Sequence, residues 1–252
     1  MNLDPAAIRA GVRVETFDTL GSTNAEALAR VRAGEPGPLW IVARQQTAGR
    51  GRRGRAWVSE PGNLYATLLL TDPSPVSRAA ELSFVAALAL LDALEEVAPA
   101  VGGRLALKWP NDVLLDGAKV CGILVEGESR PPLAAAIGIG VNCAHHPAAV
   151  AYPATDLAAA GVPTTPEDLL ATLSRTMLAR LAQWDRGNGF AAVRADWLRH
   201  AAGVGGEIRV AGGTEDVIGR FADLDAAGHL VLALPDGTTR TIAAADVFPV
   251  PA

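Results

Sequence analysis

The stretch "AGRGRRGRAW", residues 48–57, places Arg50, Arg52, Arg53 and Arg55 among glycines in a chain that is acidic overall. Arginine presents a planar fork of donors that fits phosphate oxygens, and glycine lets the backbone approach a ligand closely. Because the four like charges repel one another, the empty loop is expected to be mobile until a ligand orders it. The stretch therefore predicts a loop that binds an anion.

Apolar runs on both sides place this loop between strands. The segments "PLWIVARQQ" (residues 38–46) and "NLYATLLLT" (residues 63–71) have the composition of buried strands. Capping residues, turn signals and apolar periodicity predict the other elements. These are a strand at 12–20, a helix at 21–34 capped by Ser22, Thr23 or Asn24, a helix at 78–100, strands at 104–109, 112–128 (with a hairpin at Asp116-Gly117) and 133–143, and helical segments from 165 to 202.

A change of pattern near residue 203 predicts a second domain. After the turn "GVGGE", short alternating strands follow, separated by Asp-Gly and Ala-Gly turns. We predict strands in "EIRVA", "DVIGRFADLD", "HLVLAL" and "TTRTIAAADVF". The sequence thus predicts one domain over residues 1–203 and a small β-barrel over residues 204–252.

Length and composition limit the class of protein. The chain has 252 residues, half of them hydrophobic, and 27 acidic against 22 basic side chains give a net charge of -5. A general surface for duplex nucleic acid is therefore not expected. The cysteines Cys121 and Cys143, with a start that lacks the features of a signal peptide, predict a cytoplasmic protein without disulfides. The run "FVAALALLDAL" (residues 84–94) is too short for a bilayer, so we predict a buried helix.

Each polar cluster has an ordinary structural explanation when it is taken alone. Ser22, Thr23 and Asn24 can cap a helix. Lys108 and Lys119 can be solvated lysines at a strand end and in a hairpin, and the Asn-Asp pair of "KWPND" can form a turn after proline. One cluster by itself therefore does not establish a site.

The arginine loop and "KWPND" (residues 108–112) together favour an anionic, partly aromatic substrate. Arginines and lysines can neutralise a phosphate chain, Asp112 can orient a nucleophile or a bound Mg²⁺, and Trp57 can stack on a ring. No G-x-x-x-x-G-K-[ST] loop occurs, and "GIGVN" lacks the G-x-G-x-x-G spacing. His145 and His146 have no second pair at ligand spacing, and we assign them no role. The residues indicate nucleotide-dependent chemistry.

Five motifs in a fixed order resemble those of the biotin protein ligases, also called biotin–[acetyl-CoA-carboxylase] ligases. They are "GSTN", "QTAGRGRRGRAW", "LKWPNDVLL", "KVCGILVE" and "IGIGVN", and the resemblance covers residues 14–143. The family implies an α+β fold, in which a mixed-sheet catalytic domain akin to class II aminoacyl-tRNA synthetases precedes an SH3-like β-barrel. It also implies ATP-dependent biotinylation of a carrier lysine through biotinyl-5′-AMP.

The resemblance also implies roles for particular residues. Lys119, Asp112 and Arg52 are the expected catalytic residues, with Asp112 assisting the acceptor lysine. The metal ligands are unknown, because Mg²⁺ is expected to be carried largely by ATP. The residues expected to bind biotin are Ser22, Thr23, Asn24, Gln46, Arg50, Gly51, Arg52, Lys119 and Gly122. The residues expected to bind ATP are Arg53, Arg55, Trp57, Lys108, Asn111, Asp112 and Asn142.

The expected partner is a biotin carboxyl carrier domain of acetyl-CoA carboxylase or of a related carboxylase. Some family members carry an N-terminal winged helix that binds DNA, whereas the first strand here is predicted to begin at residue 12. We therefore expect neither operator binding nor membrane association. The sequence does not distinguish a monomer from a homodimer. It also does not give the order of substrate binding or the role of the C-terminal domain.

Two other functions are open on the residues alone. A lipoate or octanoate ligase would share the fold and the adenylate chemistry, but there a glycine-rich loop around a histidine is expected in place of "GRGRRGRAW". An RNA-binding protein can use an Arg-Gly segment as its binding site. Such segments are usually longer and lie in disorder, whereas this one is bracketed by predicted strands.

Overall fold

The computed structural model describes residues 1–129, 133–148, 152–211 and 216–249. The α-helices in these ranges are α1 (Pro5–Arg9), α2 (Thr23–Arg32), α3 (Leu82–Val97), α4 (Pro166–Trp184) and α5 (Phe190–Arg199). The strands are β1 (Arg13–Leu20), β2 (Leu39–Gln46), β3 (Leu64–Thr71), β4 (Leu105–Lys108), β5 (Asp112–Leu115), β6 (Ala118–Glu128), β7 (Ala134–Val141), β8 (Glu207–Ala211), β9 (Val217–Leu224), β10 (Leu230–Ala233), β11 (Thr239–Ile242) and β12 (Asp246–Pro249).

The strands form two sheets. The first has seven strands in the order β1-β2-β3-β7-β6-β5-β4. Within it β1 and β2 run parallel, and the other neighbours are antiparallel. The second sheet is antiparallel and has five strands in the order β11-β10-β9-β8-β12. This arrangement confirms the predicted α+β class with a mixed sheet followed by a small β domain.

Two predicted corners have the expected local chemistry. Ser22 is the N-cap of α2, and its side-chain oxygen accepts a hydrogen bond from the Ala25 N–H. The turn between β5 and β6 has φ of 51° at Asp116 and 78° at Gly117. Aspartate tolerates this left-handed region and glycine adopts it freely, so the predicted hairpin forms where the sequence indicates.

Three predicted elements differ from the structure in their bounds. The helix predicted from residue 78 begins at Leu82, because a 3₁₀ helix (Val76–Glu81) precedes it. The helical pattern from 165 to 202 is broken after α4, where Asp185 and Arg186 have φ of 45° and 54°. The single strand predicted in "TTRTIAAADVF" is two strands. They pair at opposite edges of the second sheet, β11 with β10 and β12 with β8, and one straight strand cannot reach both edges.

The core is organised around α3, which is buried over most of its surface. Phe84 of this helix makes edge-to-face contacts with Phe190 and Trp197 of α5, at centroid distances of 5.6 and 5.3 Å. The run at residues 84–94 is therefore the buried helix that the sequence predicts. Among the described residues, no helix is both long enough and apolar enough to cross a membrane.

The second sheet packs into the same core as the first. The Trp109 indole N–H donates to the Gly228 carbonyl at 3.0 Å, and Phe221 and Leu230 belong to the main cluster of buried apolar residues. Gly228 has φ of 81°, and a Cβ there would lie 2.8 Å from the Phe84 ring, so this contact needs glycine. In this packing the Phe248 ring of β12 lies 5.6 Å from the ammonium nitrogen of Lys108, the last residue of the edge strand β4. The domain boundary at residues 203 and 204 stays a prediction.

Candidate active site

A cavity of about 400 Å³ opens on the first sheet between the arginine loop, α2 and β12. We refer to it as the cleft. Of the predicted site residues, Arg53 is the one that does not line it. Those that do are Ser22, Thr23, Asn24, Gln46, Arg50, Gly51, Arg52, Arg55, Trp57, Lys108, Asn111, Asp112, Lys119, Gly122 and Asn142.

Strand alternation explains why these residues share one face. Side chains two apart point to the same side of a strand, so Gly138, Gly140 and the following Asn142 lie along one line on the cleft floor. At about 3.3 Å per residue, this line spans about 13 Å. Lys119 and Gly122 are three residues apart in β6 and would face opposite sides of a regular strand. A β-bulge at Val120 brings both to the cleft.

One end of the cleft, the neutral end, contains Ser22, Thr23, Asn24 and Gln46. Gln46 Oε1 accepts from the Thr23 N–H at 2.9 Å and from the Thr23 hydroxyl at 3.2 Å. Gln46 Nε2 in turn donates to Ser59 Oγ at 2.9 Å. All of these groups are uncharged and buried or partly buried, so the neutral end suits a polar but uncharged ligand group.

Asn24 has an amide orientation that its neighbours fix. Its Nδ2 donates to the Leu124 carbonyl at 3.1 Å and to Glu126 Oε2 at 2.8 Å, and its Oδ1 accepts from the Thr67 hydroxyl at 2.7 Å. The amide lies so close to the floor that a Cβ on Gly138 would be 2.4 Å from Asn24 Oδ1. Glycine at this position therefore allows Asn24 to lie on the sheet.

Trp57 lies on the middle of the floor. A Cβ on Gly140 would lie 2.7 Å from its indole nitrogen, and one on Gly122 would lie 3.0 Å from its six-membered ring. Its buried N–H finds no hydrogen-bond acceptor among the described residues. A large aromatic ring with an unused donor is therefore available to a ligand in the cleft.

The other end, the cationic end, surrounds Asp112. Asp112 Oδ1 lies 2.7 Å from Lys119 Nζ, and its Oδ2 lies 3.8 Å from Lys108 Nζ. The Lys108 ammonium lies 4.3 Å from the centre of the Tyr152 ring and 5.6 Å from that of Phe248. Burial lowers the pKa of Lys108, and the charge of Asp112 partly opposes this shift.

Carboxylates of the protein neutralise much of the arginine loop. Arg55 and Arg53 both pair with Asp246 of β12, at 2.8 and 3.4 Å, and Arg50 pairs with Glu126 at 3.0 Å. The repulsion that the sequence predicts between the arginines is thus offset by two acidic side chains.

Arg52 connects the arginine loop to the turn before β5 and to the residue before β12. Its guanidinium donates to Asn111 Oδ1 and to the Ala245 carbonyl, each at 3.3 Å. Burial lowers its pKa, while the charges of Asp246 and Asp112 oppose this shift. Arg52 is therefore a partly desolvated cation that an incoming anion can contact.

The two adjacent histidines have structural partners. His146 Nδ1 lies 2.6 Å from Asp156 Oδ2, and His145 Nε2 lies 3.0 Å from the Pro61 carbonyl. Within the described ranges, no group of three or more His, Cys, Asp and Glu side chains forms a metal site.

Several residues that line the cleft or bond to its lining could not be identified from the sequence. Asp246 and Phe248 come from the C-terminal sheet, and an alternating strand pattern does not tell which surface it contacts. Tyr152 lies in a loop without a motif, and Thr67 reads as an ordinary strand residue. Glu126 is the last letter of "KVCGILVE", so its motif was visible although its bonds to Arg50 and Asn24 were not.

Comparisons with known proteins agree with this architecture. Residues 19–142 match the biotin/lipoate A/B protein ligase family, and residues 204–248 match the biotin protein ligase C-terminal domain. The chain is 46% identical over 235 residues to the biotin–[acetyl-CoA-carboxylase] ligase of Paracoccus denitrificans, covering 90% of this chain and 96% of that protein.

Solved structures are similar over nearly the whole chain. The biotin protein ligase of Aquifex aeolicus in complex with biotin and ATP has a TM-score of 0.79 at 25% identity, covering 94% of this chain and 99% of that one. The biotin protein ligase of Leishmania major in complex with biotinyl-5-AMP has a TM-score of 0.67 at 26% identity, covering 92% and 99%.

Proposed function

Since the chain belongs to the biotin protein ligase family, we propose that it activates biotin with ATP as biotinyl-5′-AMP and transfers the biotinyl group to a carrier lysine. The acceptor is a biotin carboxyl carrier domain of acetyl-CoA carboxylase or of a related carboxylase. The observation that carries this proposal is a single cleft with a neutral polar end around Asn24 and a cationic end around Asp112. Biotin has an uncharged cyclic urea and a carboxylate separated by a carbon chain.

The neutral end offers the complement of a urea. Two N–H donors and one carbonyl acceptor make up that group, so a matching site needs acceptors beside a donor. The Asn24 and Thr23 side-chain oxygens share the single hydroxyl hydrogen of Thr67, which leaves lone pairs for a ligand. The Gln46 amide uses one of its two hydrogens on Ser59 within the described part of the chain. We assign the ureido group of biotin to this end.

The cationic end suits the first step. The biotin carboxylate oxygen attacks the α-phosphorus of ATP, the bond to the β-phosphate breaks, and pyrophosphate leaves. Two anions must approach each other for this reaction, and the charges of Lys119, Lys108 and Arg52 lower that repulsion. Trp57 offers a ring face for the adenine. A closed arginine loop would then keep water from the mixed anhydride.

The second step needs a neutral amine. The ε-amine of the acceptor lysine attacks the acyl carbon, the bond from that carbon to the phosphate oxygen breaks, AMP leaves, and the amine loses a proton. Asp112 is a cleft carboxylate whose oxygens lie 2.7 Å from the Lys119 ammonium nitrogen and 3.8 Å from that of Lys108. We assign it to holding the incoming amine as it loses its proton.

Among the residues that the structure describes, the carboxylates of the cleft do not form a Mg²⁺ site of their own. Asp112 and Asp246 each pair with two basic side chains. Mg²⁺ commonly binds proteins through one or two carboxylates together with substrate phosphates. We therefore propose that it enters with the triphosphate of ATP as a counter-ion, and we derive no step through it.

The proposed compartment is the cytoplasm. Cys121 and Cys143 are both buried free thiols, and burial raises the pKa of each. Unpaired cysteines are typical of proteins in reducing compartments.

Incubation with biotin, MgATP and a purified biotin carboxyl carrier domain, followed by detection with labelled avidin, tests the function. We expect label on the carrier only when all three components are present. A carrier whose acceptor lysine is replaced by arginine is the matched control and should stay unlabelled. Absence of label on the native carrier, with a folded enzyme, would contradict the proposal.

A further inference from the structure

Thr67 of β3 lies behind the wall of the cleft. It is fully buried and does not line the cavity, so it has no contact with a ligand there. Its hydroxyl lies 2.7 Å from Asn24 Oδ1 and 2.8 Å from Thr23 Oγ1. Both of those oxygens belong to the neutral end. A residue outside the cleft therefore touches two of the groups that face its ligand.

The donor and acceptor inventory gives this contact a direction. Both Asn24 amide hydrogens are used, one on the Leu124 carbonyl and one on the Glu126 carboxylate. Those partners can only accept, so the Asn24 oxygen must be the atom beside Thr67. The Thr67 hydroxyl is then the donor, and it anchors the amide from the side opposite the two acceptors.

Thr67 and Gly138 together fix the position of the Asn24 amide. They are cross-strand neighbours in the register of β3 and β7. A Cβ on Gly138 would collide with the Asn24 amide, which would lie 2.4 Å away, so the amide is in close contact with the sheet at this pair. The position of Asn24 Oδ1 is thus set by one hydrogen bond and one steric gap.

We propose that Thr67 is a positioning residue that makes this cleft selective for a ring carrying N–H donors. Its single hydroxyl hydrogen holds the Asn24 amide with Oδ1 as an acceptor, and the Thr23 hydroxyl hydrogen is directed to Gln46 Oε1, so both buried oxygens keep lone pairs that a ligand donor can use. A cyclic urea supplies such donors. A dithiolane ring has none, and a site built to hydrogen-bond its substrate rejects an analogue without the group by about 10⁴- to 10⁵-fold. The inference rests on the proposed function, because it assigns the biotin ring to this end.

A purely structural role for Thr67 predicts a different result. If its hydroxyl served only the packing of β3, its loss would lower stability and affect both substrates alike. If Thr67 positions the neutral end, its replacement changes the KM for biotin. The KM for ATP stays unchanged, because the nucleotide is assigned to the other end of the cleft. The split between the two KM values therefore separates the two roles.

The test compares T67V, which removes the hydroxyl at nearly constant volume, with T67S, which keeps it. Biotin-dependent exchange of pyrophosphate into ATP gives both KM values without a carrier. We expect T67V to raise the KM for biotin about tenfold or more and to leave that for ATP within about twofold, while T67S stays within about threefold of the native protein for biotin. Relative to biotin, T67V should also discriminate less against lipoate.

The matched control is T176V. Thr176 is also buried and donates to a backbone carbonyl, that of Ala89, at 2.8 Å, away from the cleft. This variant should change neither KM. If T67V does not fold, T67A and T67S are compared instead, because both lack the methyl group and only one keeps the hydroxyl.

Two results would overturn the inference. One is an unchanged KM for biotin in folded T67V or T67A, and the other is equal loss in T67S, which would assign the effect to packing. Failure of the proposed function has a separate signature: the native protein itself would show no biotin-dependent exchange.

Discussion

Asp112 Oδ1 lies 2.7 Å from Lys119 Nζ, across the hairpin that joins β5 to β6. The pair puts a carboxylate and an ammonium at the point where the biotin carboxylate and the α-phosphate are assigned to meet. Lys119 reaches this point because the bulge at Val120 turns it onto the face of Gly122. The catalytic roles assigned to both residues depend on this contact.

Replacing Lys119 by alanine should abolish most adenylate formation and preserve the fold. A hydrogen bond or ion pair to a charged group contributes about 1.5–3 kcal/mol, so exchange of pyrophosphate into ATP should fall at least about tenfold. The control is R104A, which removes the partner of the exposed Asp116 at the far end of the same hairpin. Near-normal exchange in K119A would disprove the assignment.

The activity of the enzyme should fall at alkaline pH because the Lys108 ammonium loses its proton. Burial lowers its pKa, so the ammonium titrates below the usual value of about 10.4. The kcat/KM for ATP reports the free enzyme and should fall as the pH rises through this lowered pKa. In K108R the guanidinium keeps its charge, and the alkaline limb should move to higher pH. An identical limb in both proteins would show that another group causes it.

Asp246 should restrain the arginine loop when no ligand is bound. It pairs with Arg53 and Arg55, and such exposed pairs contribute about 0.2–1 kcal/mol each. Trypsin should therefore cleave the loop of D246N several-fold faster than that of the native protein, measured at short times by mass spectrometry. D223N is the control, because Asp223 of β9 pairs with Arg194 of α5, away from the arginine loop. Equal cleavage of D246N and D223N would contradict this role.

Biotin and ATP together should protect the same loop from trypsin. An ordered loop that closes over a bound anion no longer offers the flexible backbone that a protease needs. Protection should require both ligands and should not appear with ATP alone. Cleavage that does not depend on ligands would show that the arginine loop is not a lid.

The sequence predicts the local structure around several motifs well, because interactions over a few residues determine it. Ser22 could be placed at a strand-to-helix corner from capping preferences, and Asp116-Gly117 at a hairpin from its tolerance of positive φ. These predictions use interactions over a few residues.

Contacts between distant segments could not be predicted in the same way. Asp246 meets Arg55 across 191 positions, and nothing in an alternating strand tells which surface it will cover. Thr67 sits in a run that predicts only a buried strand, yet its hydroxyl bonds to Asn24. The break after α4 depends on left-handed Asp185 and Arg186, which the helical pattern conceals.

The most direct test of the central claim is exchange of labelled pyrophosphate into ATP with no carrier present. We expect exchange that requires biotin and is not supported by lipoate, because reversible formation of biotinyl-5′-AMP is the only step left when no acceptor lysine is available. Exchange supported equally well by lipoate, or no exchange with biotin and a folded protein, would contradict the central claim.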